Sequence, residues 1–149
     1  MKNKEAVIVN GFISKLKLSK FGKDVRIALL KDYTSLSPIV KSFEENIDTL
    51  RSKMFEDYQE DMQKVQELRD KAKAAKSQEE IDKLNKEAEK YSDYFKTEQE
   101  FVHLYEEESN KEVSCDIVKI DKESFIDSVI ESGEEITIKD IENLSILFK

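Results

Sequence analysis

Residues 38–74 read PIVKSFEENIDTLRSKMFEDYQEDMQKVQELRDKAKA. Within them Ile39, Phe43, Ile47, Leu50, Met54, Tyr58, Met62, Val65, Leu68 and Ala72 recur at steps of three and four. That spacing returns each side chain to the same side of a helix and makes a coiled-coil-like seam. Nearly every position between seam residues is charged or an amide, so the stripe is narrow and the rest of the rod is solvated. At 1.5 Å per residue, a helix from Pro38 to about Ala74 is roughly 55 Å long. Its start is marked by Ser37-Pro38, serine at the N-cap and proline at the first helical position. The same dipeptide could instead mark a kink within one continuous helix, because proline disfavours helical geometry at the residue before it.

Downstream, Ala75-Lys76 reads as a turn, and Ser77-Gln78-Glu79-Glu80 as a capping box in which Ser77 caps the amide of Glu80 and Glu80 reaches back. A second arm then presents Ile81, Leu84, Ala88, Tyr91, Phe95, Val102 and Tyr105, with Glu98 or Gln99 leaving a polar gap in the stripe. Helices joined by so short a link lie antiparallel. The expectation is therefore a long antiparallel helical hairpin over 38–108. Its loop end is small and polar from Lys71 to Glu80, and its base is aromatic, with Phe43, Tyr91, Tyr94, Phe95, Phe101 and Tyr105.

Outside the hairpin the elements are short. In residues 5–17, Val9, Phe12, Ile13 and Leu16 follow a helical period, although Val7-Ile8-Val9 also fits a short strand. A break near Gly22 precedes a helix over 24–36, with Asp24 as its N-cap and Val25, Ala28, Leu29 and Leu36 on one side. Residues 112–120 alternate, with Val113, Cys115 and Ile117 facing one way, and predict the best strand of the chain. Its partner could be the 7–9 segment, residues near Ile136, or a second copy of the chain. Asp121 caps a short helix whose apolar face is Phe125, Ile126, Val129 and Ile130 and whose stop is Gly133. Thr137, with Asp140 three residues on, starts a last helix bearing Ile138, Ile141 and Leu144. The fold class is thus mainly α with minor β. One domain, 1–149, divides into a basic helical segment (1–37), the hairpin (38–108) and a small strand-helix-helix segment (111–149) that completes a head of short helices and one or two short strands.

A chain of 149 residues can bury a sufficient core without metal or disulfide. The single cysteine, Cys115, excludes an intramolecular disulfide and a cysteine-based zinc site, and fits a reducing compartment. The apolar run after Met1 is too short for a signal peptide, and no stretch approaches a membrane span. The net charge of −8 is uneven: +5 over residues 1–40, −8 over 41–110 and −5 over 111–149. A basic head on an acidic body favours head-to-tail contacts between copies or an acidic partner.

Chemistry is sparse. His103 and Glu107 stand one helical turn apart, but a metal site needs further ligands that the sequence lacks. Cys115 has no base placed beside it and reads as a buried structural thiol. Three glycines cannot build a phosphate-cradling loop. Lys15, Lys17, Lys20, Lys23, Arg26 and Lys31 form a modest basic patch on a chain that otherwise repels phosphate, so nucleic acid is not the expected ligand. The expected working surface is instead for protein, drawn from Lys15, Lys17, Lys20, Lys23, Arg26, Val113, Cys115 and Ile117. No catalytic residue, cofactor or metal is expected.

The layout is one of a short N-terminal helix, a basic link, a long hairpin containing Phe43-Glu44-Glu45, the segment Glu112-Val113-Ser114-Cys115-Asp116-Ile117-Val118-Lys119-Ile120, and a closing Ile-Thr helix start. It resembles a group of small tailed-bacteriophage proteins encoded among virion and assembly genes. That resemblance implies a non-enzymatic structural or virion-assembly role, through self-association or contact with phage structural proteins, in the virion or the bacterial host cytoplasm. The seam with charged flanks is also similar to the hairpin of prefoldin-type chaperones, which would imply a binding module that grips a protein partner. Prefoldins, however, place β-hairpins between their helices, where this chain has a bare turn.

Overall fold

The computed structural model describes residues 1–149 and is mainly helical. Its contacts gather the chain into two compact units, one formed by Met1–Glu45 with Glu108–Lys149 and one by Asn46–Glu107.

In the first unit, α1 (Asn3–Ile13) buries Ala6, Val9 and Ile13, which settles the 7–9 stretch as helix. A 3-10 turn at Leu18–Lys20 leads to α2 (Lys23–Met54). Asp24 lies inside the first turn of α2 and is not its N-cap. Pro38 neither starts a helix nor ends one: α2 runs through it unbroken. An interior proline costs about 3 kcal/mol. Leu29, Leu36, Val40 and Phe43 are all buried, so the apolar stripe continues on both sides and tertiary burial offsets that cost. Thr34 and Ser37 hydroxyls donate to the carbonyls of Leu30 and Tyr33, at 2.8 and 2.7 Å, within the same stretch.

The segment 111–120 is extended but is not a strand. Its pairing consists of two isolated bridges, Lys2 with Glu112 and Ile120 with Phe148. Neither partner expected for it within the chain, the 7–9 segment or the residues near Ile136, is used. Its backbone is tied down piecemeal instead. Val113 N–H donates to Met1 O (2.8 Å), Val118 N–H to an Asp32 carboxylate oxygen (2.7 Å) and Ile120 N–H to Leu147 O (2.7 Å). Alternation put Cys115 and Ile117 on the core, but a ladder needs a second extended segment alongside, and the neighbours here are helices.

Beyond it, α6 (Lys122–Ser132) starts at Asp121, whose carboxylate accepts from Ser124 N–H (2.9 Å), and stops at Gly133 in the left-handed region (φ 71°). α7 (Ile138–Asn143) carries the Thr137/Asp140 capping box. Phe125, Val129, Leu144 and Leu147 join the core, where the Phe125 ring meets Phe21 and Phe148 at 6.3 and 5.3 Å. Two isoleucines expected on apolar faces turn outward: Ile130 is 71% exposed and Ile138 81%.

In the second unit the long seam is interrupted. α2 ends at Met54, Glu56–Tyr58 forms a 3-10 turn, and α3 spans Gln59–Ala74. The interruption swings Phe55, which lies off the seam, into a small core with Val65 and Tyr94. Its ring packs at 5.7 Å from both Tyr94 and Phe101. After residues 75–77, α4 (Gln78–Ala88) packs against α3, and a 3-10 turn at Glu89–Tyr91 precedes α5 (Ser92–Asn110). Ser77 accepts from Glu80 N–H as expected, but Glu80 reaches back to Lys76 N–H (2.9 Å), not to that of Ser77. The second 3-10 turn also shifts the buried stripe. Tyr94, Phe101 and Leu104 point inward, while Val102 and Tyr105 are 50% and 42% exposed. Glu98 is no gap: it takes Arg69 in a two-pronged ion pair at 3.0 and 2.5 Å.

Candidate functional site

The region richest in unexplained surface lies on α2. The buried positions of its first half are Val25, Ala28, Leu29, Asp32 and Leu36, a helical stripe with an acid inside it. Asp32 is fully buried. One carboxylate oxygen accepts from Val118 N–H, and the other has no hydrogen-bond partner. Burial pushes its pKa up. The Val118 N–H and the charge of Lys119 pull it down, but by less. Asp32 therefore pins the extended 116–118 segment against α2, although it stands among apolar neighbours.

That pin builds a groove. Ile27 (40% exposed) and Leu30 (49%) of α2 stand beside Val118 (39%). Together with Lys31, Thr34 and Asp116 they line an open, mostly apolar groove of about 490 Å³. Lys23 and Arg26 continue the same helical face towards the N-terminus of α2. Lys23, Arg26 and Lys31 form no ion pair within the chain. Exposed aliphatic side chains next to unpaired cations, on a groove with a fixed wall, suit a partner that is both apolar and acidic.

The residues singled out from sequence divide into three groups. Lys15, Lys17 and Lys20 lie beside the chain's own 132–140 stretch. Lys17 N–H donates to the Glu134 carboxylate (3.0 Å), the Lys20 amine to Ser132 O (3.5 Å), and the Lys15 charge helps hold Asp140 below the usual carboxylate range, after the larger effect of Thr137. Lys23 and Arg26 belong to the α2 face described above. Val113, Cys115 and Ile117 are half-buried, with Cys115 and Ile117 packed on the core. The Cys115 thiol is pushed up by burial and by the charges of Asp32 and Asp116. His103 is solvent-facing, with Glu107 3.4 Å away, and no cluster of three potential ligands exists.

Ile27, Leu30 and Asp32 were not singled out from sequence. The signal was present for the first two, an apolar pair at a three-residue step off the buried face. For Asp32 it was an acid in step with Val25, Leu29 and Leu36. Comparison with protein-family models, curated proteins and solved structures returns no match for this chain.

Proposed function

We propose that this chain is a non-enzymatic structural or assembly protein that acts by associating with protein. The observation that carries this reading is the α2 groove, where Ile27, Leu30 and Val118 stand exposed beside Lys23, Arg26 and Lys31. Such a surface gains from being covered by protein, because burying its aliphatic area is favourable and its cations are already unpaired.

Following the resemblance of layout to tailed-bacteriophage proteins, we propose that the association takes place in a virion or in the host cytoplasm during assembly. No helix is long and apolar enough to cross a membrane. The antiparallel hairpin belongs to the same reading, as a spacer or contact arm. Packing of α3 on α4, the Arg69–Glu98 pair and the burial of Phe55 and Val65 against Tyr94 support it. The alternative is a chaperone-like or adaptor module gripping a client with the arm. It needs apolar surface near the loop, and residues 71–80 offer only the small side chains of Ala72, Ala74 and Ala75 among polar and charged ones.

Light scattering coupled to size exclusion, at two protein and two salt concentrations, tests the reading. A mass above the 17.4 kDa of one chain supports a self-associating subunit, and loss of that mass at high salt implicates the charged surfaces. A monomer under all four conditions shifts weight to the adaptor alternative.

A further inference from the structure

Building on the association reading, we propose that the α2 groove is covered by the exposed face of α6 from a second copy of this chain. The two surfaces match in spacing and, at three of four positions, in chemistry. On α2 the outward positions are Lys23, Ile27, Leu30 and Lys31, at i, i+4, i+7 and i+8. On α6 they are Glu123, Asp127, Ile130 and Glu131, at the same intervals. Laid side by side in parallel register, Lys23 meets Glu123, Leu30 meets Ile130 and Lys31 meets Glu131, while Ile27 falls opposite Asp127. Ile130 is 71% exposed on a helix that otherwise buries Phe125 and Val129, and the groove floor of Ile27, Leu30 and Val118 is the apolar surface that would receive it. Lys23 and Lys31 on α2 and Glu123, Asp127 and Glu131 on α6 form no ion pair within the chain.

The neighbouring charges sharpen the choice. Glu134 and Asp140, the acids nearest the basic 15–20 loop, are engaged by Lys17 N–H and by Thr137. The acids of the outward α6 face are left for another molecule. Because the two contacting surfaces differ, each pair leaves one α2 groove and one α6 face free, and the contact repeats head to tail. A single helix pair lies at the small end of specific interfaces, so the association is weak and builds with concentration.

The test uses sedimentation velocity on the full chain from about 10 μM to about 1 mM, the range in which weak interfaces populate. All substituted positions are exposed, and a thermal melt of each variant checks its fold. Wild type is expected to grow in mass with concentration. Lys23→Glu/Lys31→Glu and, separately, Glu123→Lys/Glu131→Lys are each expected to weaken association by at least about tenfold, because like charges then face each other. The chain carrying all four substitutions is expected to associate again, since both signs are exchanged. Wild-type-like growth in either double variant, or no recovery in the folded fourfold variant, overturns the α6 assignment and leaves the association reading standing. A wild type that stays monomeric to the top of the range removes both self-association and this contact. Binding of a short DNA duplex that disappears in Lys23→Glu/Lys31→Glu, with no change in mass, would reassign the stripe to nucleic acid.

Discussion

Replacing Asp32 by asparagine isolates the cost of the buried charge. Asparagine has the same shape and can still accept from Val118 N–H, where the carboxylate now sits at 2.7 Å. Two effects oppose each other near pH 7. A hydrogen bond to a charged group is worth about 1.5–3 kcal/mol and one to a neutral group about 0.5–1.5, so the variant loses on the order of 1 kcal/mol. It also puts a neutral amide NH2 where a charged carboxylate oxygen lay buried without a partner, and the charged group bears the larger desolvation cost. The expected net change at pH 7 is small, and the pH dependence decides. Burial raises the Asp32 pKa above its ordinary value. As pH falls through that raised value, folded wild type takes up a proton that the unfolded chain does not yet bind. Wild type should therefore gain stability relative to Asp32→Asn on acidification, and the difference should level off below the ordinary pKa of about 3.9. The assay is urea unfolding followed by circular dichroism for both proteins across pH 4–8, compared as a difference so that the other carboxylates cancel. Parallel curves, or wild type losing ground on acidification, would refute a desolvated carboxylate at this position. Asp32→Ala adds a second readout: amide exchange at Val118 should accelerate, because its acceptor is gone.

Phe55→Ala should destabilise the 46–107 unit by about 3–5 kcal/mol, since its buried ring contacts Tyr94 and Phe101, and amide exchange in α3 and α4 reads the effect. Gly133→Ala should cost about 1–2 kcal/mol from backbone strain alone, because φ is 71° and no atom stands within 4 Å of the added carbon; thermal melting measures it. Cys115 should alkylate more slowly than a free thiol at pH 8 and speed up in urea, because burial and the charges of Asp32 and Asp116 raise its pKa. Alkylation at a free-thiol rate in the folded protein would contradict that placement.

Punctuation was the most legible layer of this sequence. Ser77, Asp121 with Gly133, and Thr137 with Asp140 act within three or four residues of themselves, and each does locally what its residue type predicts. The mainly helical class and the inward seam from Ile39 to Leu68 were equally readable, because period and composition are properties of one element at a time.

What the sequence did not reveal depends on neighbours far along the chain. The break after Met54 exists because Phe55 has Tyr94 and Phe101 to pack on, and the second seam shifts after the turn at Glu89–Tyr91. Pro38 stays inside a helix because burial on both sides outweighs its local penalty. Residues 112–120 alternate like a strand, yet they run beside helices and the Asp32 carboxylate, so alternation alone could not supply a ladder. The groove was hidden for the same reason. Ile27 and Leu30 become a groove only once Asp32 fixes beside them Val118, 86 residues further along the chain. Sequence by itself determined the mainly helical class and the caps at Ser77, Asp121 and Thr137, since those interactions are local. Tertiary structure alone decided which apolar side chains are buried and which are left facing outward, since that choice requires a partner surface that no single segment contains.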